Sequence, residues 1–274
     1  MKLKLHLAAF AAAGLGAAAV LCLGACGRQA ATEADNLSFK RVNTGVVYRL
    51  VGSAKDYDTS SDLSFECKAD LLMPVAIYGH DVSALRDSIM KFAFDTVAPD
   101  HSVAIKDIFR HNVSSLGYAV ADTAVADSSY DGLCSVTGSV ESLTAKVLSY
   151  GVTASSYIPR AAHGMYTTFY INYDAVSGKV FTVGDLFTKD GLEKLPETLK
   201  SAAADMRGFI GPTEIDGIPH GGNFCISADG DIVFVYQPYE VASYAQGEIR
   251  IPIAPYVLSS YLTEYGTRIL LGAD

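Results

Sequence analysis

A strict alternation of apolar and other residues between positions 63 and 77 sets the strongest limit on how this chain folds. The even positions at the start of the run are polar or charged: Ser64, Glu66, Lys68 and Asp70. The odd positions are all apolar: Leu63, Phe65, Cys67, Ala69, Leu71, Met73, Val75 and Ile77. Because successive side chains of a β-strand point to opposite faces, this pattern predicts a strand with one buried face. It places Cys67 inside the fold.

Helical patterns follow this strand. The residues Leu85, Ile89 and Phe92 form an apolar stripe at helical spacing behind Asp81, a residue type that favours helix N-caps. Pro99 and Asp100 begin another helical stretch, which continues through Phe109. The sequence therefore predicts two helices between the first strands and the second half of the chain.

The second half of the chain reads mostly as strands. Strands are predicted at 134–142, 143–157, 167–173, 223–228 and 232–236, with helical stretches from Asp185 to about Phe209 and from near Pro255. The Asp229-Gly230 pair between two apolar runs is a strong hairpin signal. Since strands and helices fall in separate blocks, we predict an α+β fold. We expect antiparallel sheets with helices packed on one side, in two subdomains of similar size.

The N-terminus has the features of an export signal. Lys2 and Lys4 precede an apolar run that ends at Leu23-Gly24-Ala25-Cys26, a segment that resembles a bacterial lipobox. We predict a lipoprotein signal peptide at 1–25 and a lipidated tether at 26–37. The protein would then be anchored to a membrane through Cys26, on the extracytoplasmic side of the cell envelope, periplasmic or surface. The alternative is an uncleaved transmembrane anchor.

Charge and cysteine spacing exclude some functions. The signal segment holds two lysines and no acidic residue, so the mature chain would have 19 basic and 30 acidic residues, a net charge of −11. Nucleic-acid binding needs a basic surface and is therefore not expected. Cys67, Cys134 and Cys225 lack C-x-x-C spacing, which disfavours zinc or thioredoxin-like chemistry. They are either buried free thiols or contain a single disulfide.

Common catalytic motifs are missing from the sequence. There is no H-E-x-x-H, G-x-S-x-G or P-loop pattern. Ser88 and Lys91 fit S-x-x-K, but the other elements of that serine-enzyme motif are absent, and we interpret both as the polar face of a helix. His101 and His111 are interpreted as helix-surface histidines. The sequence thus predicts no catalytic residue, metal or cofactor.

Two polar and aromatic segments are candidates for binding. The first contains His163 and Tyr166 near Arg160. The second contains Tyr239, Glu240, Tyr244 and Gln246. Tyrosine offers a flat apolar face with a polar tip, which suits both sugar stacking and protein hot spots. The alternative is a structural crossover, in which the tyrosine hydroxyls and Glu240 satisfy buried backbone groups.

An ordered series of motifs in the second half resembles a known family. The most specific run is Pro-Tyr-Glu-Val-Ala-Ser-Tyr-Ala-Gln-Gly at 238–247, and supporting runs lie at 157–166, 170–174, 177–179, 185–187 and 223–227. This series is similar to DUF3298, a domain of unknown function. Residues from about Val46 to Gly151 resemble, more weakly, the PdaC-type (DUF4163) domain that commonly precedes it. We therefore predict a PdaC/DUF4163-like domain at 38–150 and a DUF3298-like domain at 151–274.

The resemblance implies a location more than a chemistry. Such domains occur outside the cell membrane, in lipoproteins, beside deacetylase domains, and in an anti-sigma factor whose outer part binds lysozyme. The leading hypothesis is a non-enzymatic binding or sensing module for a wall-associated, lysozyme-like protein or for peptidoglycan. An enzyme or accessory factor acting on peptidoglycan is the alternative, and it would need His163, Glu240 and Asp185 in one cleft. A purely structural envelope component is the third possibility.

Overall fold

The structure is a computed structural model that describes residues 37–51, 63–95, 101–115, 119–123, 131–158, 161–206 and 214–272. The predicted signal peptide, Cys26 and the tether up to residue 36 lie outside the described residues. Within the described ranges, no helix is long and apolar enough to cross a membrane.

The first half of the chain forms a long antiparallel pair covered by two helices. Strand β1 (Ser38–Val51) pairs with β2 (Leu63–Ala76) and with β3 (Ala119–Thr123), and the helices are α1 (Ser83–Phe94) and α2 (His101–Ser115). The alternation in β2 buries the predicted face from Phe65 to Met73. Val75 is an exception and is exposed, because the β1–β2 register shifts at this end, as at a β-bulge.

The start of α1 differs slightly from the prediction. The N-cap residue is Val82 rather than Asp81. Asp81 nevertheless supports the first turn, since its carboxylate accepts hydrogen bonds from the backbone N–H and the hydroxyl of Ser83. The predicted helix is therefore present and begins at Ser83, the residue that Asp81 holds.

A crossover through α1, α2 and β3 returns the chain to the same sheet. Strand β4 (Gly132–Leu143) pairs in parallel with β2 and antiparallel with β5 (Val147–Tyr157), which is followed by β6 (Met165–Asp174) and β7 (Lys179–Phe181). The result is a seven-stranded sheet in the order β3-β1-β2-β4-β5-β6-β7. The predicted domain boundary after residue 150 falls inside β5, and the division into two domains stays a prediction.

A smaller sheet follows in the second half. Strands β8 (Phe224–Ile226), β9 (Ile232–Tyr236) and β10 (Ile249–Ile253) pair antiparallel in the order β10-β9-β8. The Asp229-Gly230 turn joins β8 to β9 as predicted. Strand β10 was not predicted, because it contains Pro252, and an edge strand of this kind tolerates proline.

The remaining helices belong to the second half. They are α3 (Val183–Leu186), α4 (Lys189–Ala204) and α5 (Glu264–Leu270). The helix predicted to begin near Pro255 is a 3₁₀ segment, Pro255–Tyr261, which precedes α5.

The two sheets are stacked through β6. Ile171 packs into the core that also contains Leu85 of α1 and Phe109 of α2, whereas Tyr170 packs with Val235 of the small sheet. Adjacent strand residues point to opposite faces, so the helices α1 and α2 and the small sheet lie on opposite sides of the large sheet. Helix α4 packs on the outer face of the small sheet. The predicted α+β fold with antiparallel sheets is confirmed, with β2–β4 as a parallel pair.

Candidate binding site

Aromatic side chains from two distant segments meet at one end of the stacked sheets. The His163 ring, in the β5–β6 connection, stacks on the Tyr244 ring with centroids 4.2 Å apart. The Tyr239 ring lies 5.4 Å from the Tyr244 ring, and Tyr166 of β6 meets Tyr244 edge-on at 6.2 Å. We call His163, Tyr166, Tyr239 and Tyr244 the aromatic cluster. All of its members are candidates that the sequence predicted in separate segments.

The segment after β9 is tied to β6 by polar contacts. Gln237 Nε2 donates to the Thr168 carbonyl at 2.7 Å, and the Thr168 N–H donates to Gln237 Oε1 at 2.9 Å. The Glu240 carboxylate accepts from the Gln237 N–H at 2.7 Å and from the His220 N–H at 2.5 Å. Glu240 therefore stabilises the turn that presents Tyr239. These contacts match the structural alternative from the sequence, in which Glu240 binds backbone N–H groups.

Tyr239 has an unusual backbone conformation. Its φ angle is +71°, in the left-handed region that glycine adopts without penalty, and its side chain is 56% exposed. A non-glycine residue in this region is strained, and such strain concentrates at functional sites. The ring is mostly outside the core, so burial does little to offset the strain. Its contacts with His163 and Tyr244 instead hold the ring at the surface.

Hydrogen bonds define the tautomer of the neutral His163 ring. Nδ1 lies 2.6 Å from the Gly164 carbonyl oxygen, which can only accept, so Nδ1 carries the hydrogen. Nε2 is then the acceptor for the Tyr239 hydroxyl, 3.1 Å away. The imidazole therefore links the β5–β6 connection to the turn after β9 and orients the exposed tyrosine.

Tyr166 is fixed from the other side by the chain around Gly247. The Tyr166 hydroxyl oxygen accepts from the Glu248 N–H at 3.2 Å. Gly247 has a φ of +69°, and a Cβ at this position would lie 2.9 Å from Tyr166 Oη. Gln246 closes the preceding 3₁₀ turn by donating its N–H to the Ser243 carbonyl at 3.0 Å. Burial raises the pKa of both Tyr166 and Tyr244.

A partly buried charged group is centred on Arg250, which follows this turn in the chain. Arg250 donates to the Tyr170 hydroxyl at 2.5 Å and to Glu141 at 2.6 Å, and its Nη1 lies 3.9 Å from the Glu248 carboxylate. Burial is the main cause of a raised pKa for Glu248. This group was not predicted from the sequence, because its members lie on separate strands. The available signal was the alternation of the charged residues Glu248 and Arg250 with the apolar residues Ile249 and Ile251.

The three residues required by the enzyme alternative have separate roles. Asp185 accepts hydrogen bonds from the backbone N–H and the hydroxyl of Thr182, both at 2.7 Å, and so caps α3. Glu240 caps its own turn, and His163 bonds to Tyr239. Ser88 donates its hydroxyl to the Ala84 carbonyl inside α1. Among the described residues, no group of three or more His, Cys, Asp or Glu side chains could hold a metal ion.

Apolar side chains extend the surface beside the cluster. Tyr157, Ile158 and Met165, at the end of the β5–β6 pair, are each 37% exposed. Met165 is adjacent to Tyr166 in β6, so its side chain points to the opposite face of the sheet. Tyr157 lies on the same face as Tyr166, because Ser155 pairs with Tyr166. Exposed apolar side chains next to the aromatic cluster enlarge a surface of the kind that marks interaction sites. This end of the molecule is thus the best candidate for contact with a ligand.

Comparisons with known proteins agree with the fold and leave the ligand open. Residues 184–256 match the family model described as a protein of unknown function, DUF3298. A solved DUF3298 family member from Bacteroides fragilis is 19% identical, with 84% of this chain and 94% of that chain covered and a TM-score of 0.62. A DUF3298 family protein from Pseudomonas aeruginosa is 13% identical, with 85% and 98% covered and a TM-score of 0.55. A search among curated proteins finds no match.

The matched segment contains only part of the aromatic cluster. Tyr239 and Tyr244 of the cluster lie inside residues 184–256, as do Glu240 and Gln246, whereas His163 and Tyr166 precede this segment. The predicted PdaC/DUF4163-like domain at 38–150 stays a prediction. The likeness to the two solved structures extends over most of the chain and shows the fold alone.

Proposed function

We propose that this DUF3298-domain protein is a non-enzymatic cell-envelope lipoprotein that binds peptidoglycan through the aromatic cluster. Its lipid anchor on Cys26 would hold the folded region on the extracytoplasmic side of a membrane. The lipobox-like segment and the family resemblance support the location. The exposed, strained Tyr239 supports the binding role.

The conformation of Tyr239 is the observation that carries the proposal. A left-handed backbone costs about 1–3 kcal/mol for a residue other than glycine. The side chain is 56% exposed, so the ring gains only part of the stabilisation that full burial would give. Glycine would fit the turn without this cost. A tyrosine at this position is readily explained if its ring contacts a ligand.

The chemistry of the cluster suits a glycan. Tyr239 presents an apolar ring face with a hydroxyl at its edge, and sugars have apolar C–H faces bordered by hydroxyl and amide groups. His163 and Tyr244 are polar at their edges and apolar on their faces, and they widen this surface. A stacking surface with few charges can recognise a largely neutral glycan without relying on net charge.

A lysozyme-like protein is a second candidate ligand, and one observation favours it. The mature chain would have a net charge of −11, which attracts a basic protein. Exposed tyrosines are also frequent at protein hot spots. The same surface would then bind a protein partner, and the two ligands can be separated by experiment.

The test is calorimetric titration of residues 27–274 with soluble peptidoglycan fragments and with c-type lysozyme, each at low and at moderate salt. Saturable heat with the glycan fragments at both salt concentrations is the expected result. Saturable lysozyme binding that survives moderate salt would favour the second candidate, because attraction between exposed charges is largely screened beyond about 10 Å at 0.1 M salt. No heat with either ligand would contradict the proposal.

The location has a separate test. The full chain expressed in a bacterium should be recovered in the membrane fraction and should release a diacylglycerol-modified N-terminal peptide beginning at Cys26. A Cys26→Ser variant removes the acylated sulfur and should lose this modification. An unmodified Cys26 in the wild-type chain would contradict the lipid anchor without affecting the ligand test.

A further inference from the structure

Cys67 and Cys134 lie directly opposite each other in the parallel β2–β4 pair. Neighbouring strands in a sheet are about 4.7–4.9 Å apart. The Cα atoms of a disulfide are usually about 4.4–6.8 Å apart. The register of these two strands therefore places the two Cα atoms within the range of distances found in disulfides.

The two side chains also share one environment. Cys67 is 0% exposed and Cys134 is 3% exposed, and both belong to the core beneath α1 and α2. The interaction with the Cys134 thiol and burial together raise the pKa of Cys67. The two thiols thus lie beside each other inside an apolar core.

Cys225 lies in a different environment. It is buried on β8 and packs with Tyr170 and Val235 between the two sheets. Arg250 Nη2 donates a hydrogen bond to its sulfur at 3.5 Å. Of the three cysteines after Cys26, two are therefore neighbours and the third is separate, which the spacing in the sequence did not reveal.

We propose that Cys67 and Cys134 form a disulfide when the chain folds in an oxidising compartment. This inference rests on the proposed extracytoplasmic location, since disulfides persist in such compartments. The oxidant is a thiol–disulfide exchange protein or a small disulfide such as oxidised glutathione. One cysteine thiolate attacks the oxidant's disulfide and forms a mixed disulfide, and the second thiolate then displaces the oxidant's sulfur. One S–S bond forms and the oxidant's S–S bond is broken, so that the two electrons and two protons leave on the oxidant, as a dithiol protein or as two molecules of reduced glutathione.

The burial of both sulfurs determines when oxidation can occur. In the folded protein an external oxidant cannot reach them, so the exchange must precede packing of α1 and α2 on the sheet. The enclosed loop contains α1, α2 and β3, and closing a loop of this length restricts the unfolded chain. We expect the bond to raise the melting temperature by roughly 10 °C.

The direct test is refolding of the full chain in detergent, in glutathione buffers of graded redox ratio. Samples are quenched with acid, alkylated in denaturant and mapped by peptide mass. The expected result is a linked pair of peptides containing Cys67 and Cys134, with Cys225 alkylated. A Cys225→Ser variant should keep the link, and a Cys67→Ser variant should leave Cys134 alkylated. Alkylation of both Cys67 and Cys134 at every ratio, or a link to Cys225, would overturn the proposal.

The same mapping on protein isolated from cells separates this proposal from the proposed location. A Cys67–Cys134 link in cell-derived protein supports both. A link that forms on refolding but is absent from cells would count against extracytoplasmic folding, while the pairing itself would stand. Failure to form the link on refolding would refute the pairing, whatever the location.

Discussion

Replacing Tyr239 with glycine should relieve its backbone strain, whereas replacing it with alanine should not. Both changes remove the ring and its hydrogen bond to His163, which at this exposed position is worth about 0.5–1.5 kcal/mol. Alanine keeps the strain at φ +71°, whereas glycine relieves about 1–2 kcal/mol of it. We therefore expect Tyr239→Gly to be more stable than Tyr239→Ala by about 1 kcal/mol. Its free energy of unfolding should fall close to that of the wild type.

Tyr256 provides the matched control. It lies on the 3₁₀ segment Pro255–Tyr261, and its side chain is 74% exposed. Unlike Tyr239, it does not have a positive φ angle. There, alanine should be more stable than glycine by about 0.5–1 kcal/mol, because glycine loses more chain entropy on folding. The expected order of stability of the alanine and glycine variants is thus reversed between positions 239 and 256.

The assay is urea unfolding of the four variants and the wild type, with the midpoint and the slope fitted separately. An unchanged slope would show that the denatured state is comparable among them. If alanine is as stable as glycine at position 239, the left-handed strain is not a real cost and the argument from Tyr239 to function fails. If the glycine variant is more stable but still binds the ligand, the strain is real and the ring is not the contact.

Other parts of the site give three further predictions. Burial raises the folded-state pKa of Glu248 above its unfolded value, so its contribution favours folding at low pH and is lost as pH rises from about 4.3 through the folded pKa. Urea unfolding between pH 4 and 7 should show that Glu248→Gln removes this loss, and an identical pH profile would refute it. Gly247→Ala should cost more stability than Gly230→Ala, because both have positive φ but only the first places a Cβ 2.9 Å from Tyr166 Oη; equal costs would contradict a tight contact. Asn223→Ala should cost about 3 kcal/mol in the same assay, since the buried amide bonds three backbone groups, and a loss below 1 kcal/mol would contradict this.

Local patterns predicted most of the elements but not their partners. The alternation from Leu63 to Ile77 and the Asp229-Gly230 turn specify local geometry, and both features are present in the structure. The parallel β2–β4 pair depends on a crossover of more than fifty residues, and no pattern within either strand encodes which strand it joins. The contact between Cys67 and Cys134 follows from that pairing, so it could not be predicted from the sequence either.

The sequence predicted which residues belong to the candidate site, but it did not predict how they are arranged in space. Tyrosine content and the family resemblance selected His163 and the segment 238–247, yet their assembly depends on how β6 lies against the chain after β9. The two roles proposed for Glu240 could not be separated by sequence, because a carboxylate in a turn can bind a ligand or cap backbone N–H groups. Its bonds to Gln237 and His220 show the second role. The charged group around Arg250 was missed because its members come together only in three dimensions.

The central claim is that the aromatic cluster is the contact surface for a cell-wall glycan. Titration of soluble peptidoglycan fragments into the wild type, Tyr239→Ala and Tyr256→Ala tests it most directly. We predict saturable binding by the wild type and by Tyr256→Ala, with affinity lowered at least tenfold in Tyr239→Ala, a loss of about 1.4 kcal/mol. Equal affinity in all three proteins would place the glycan elsewhere, and absence of binding in the wild type would contradict the account.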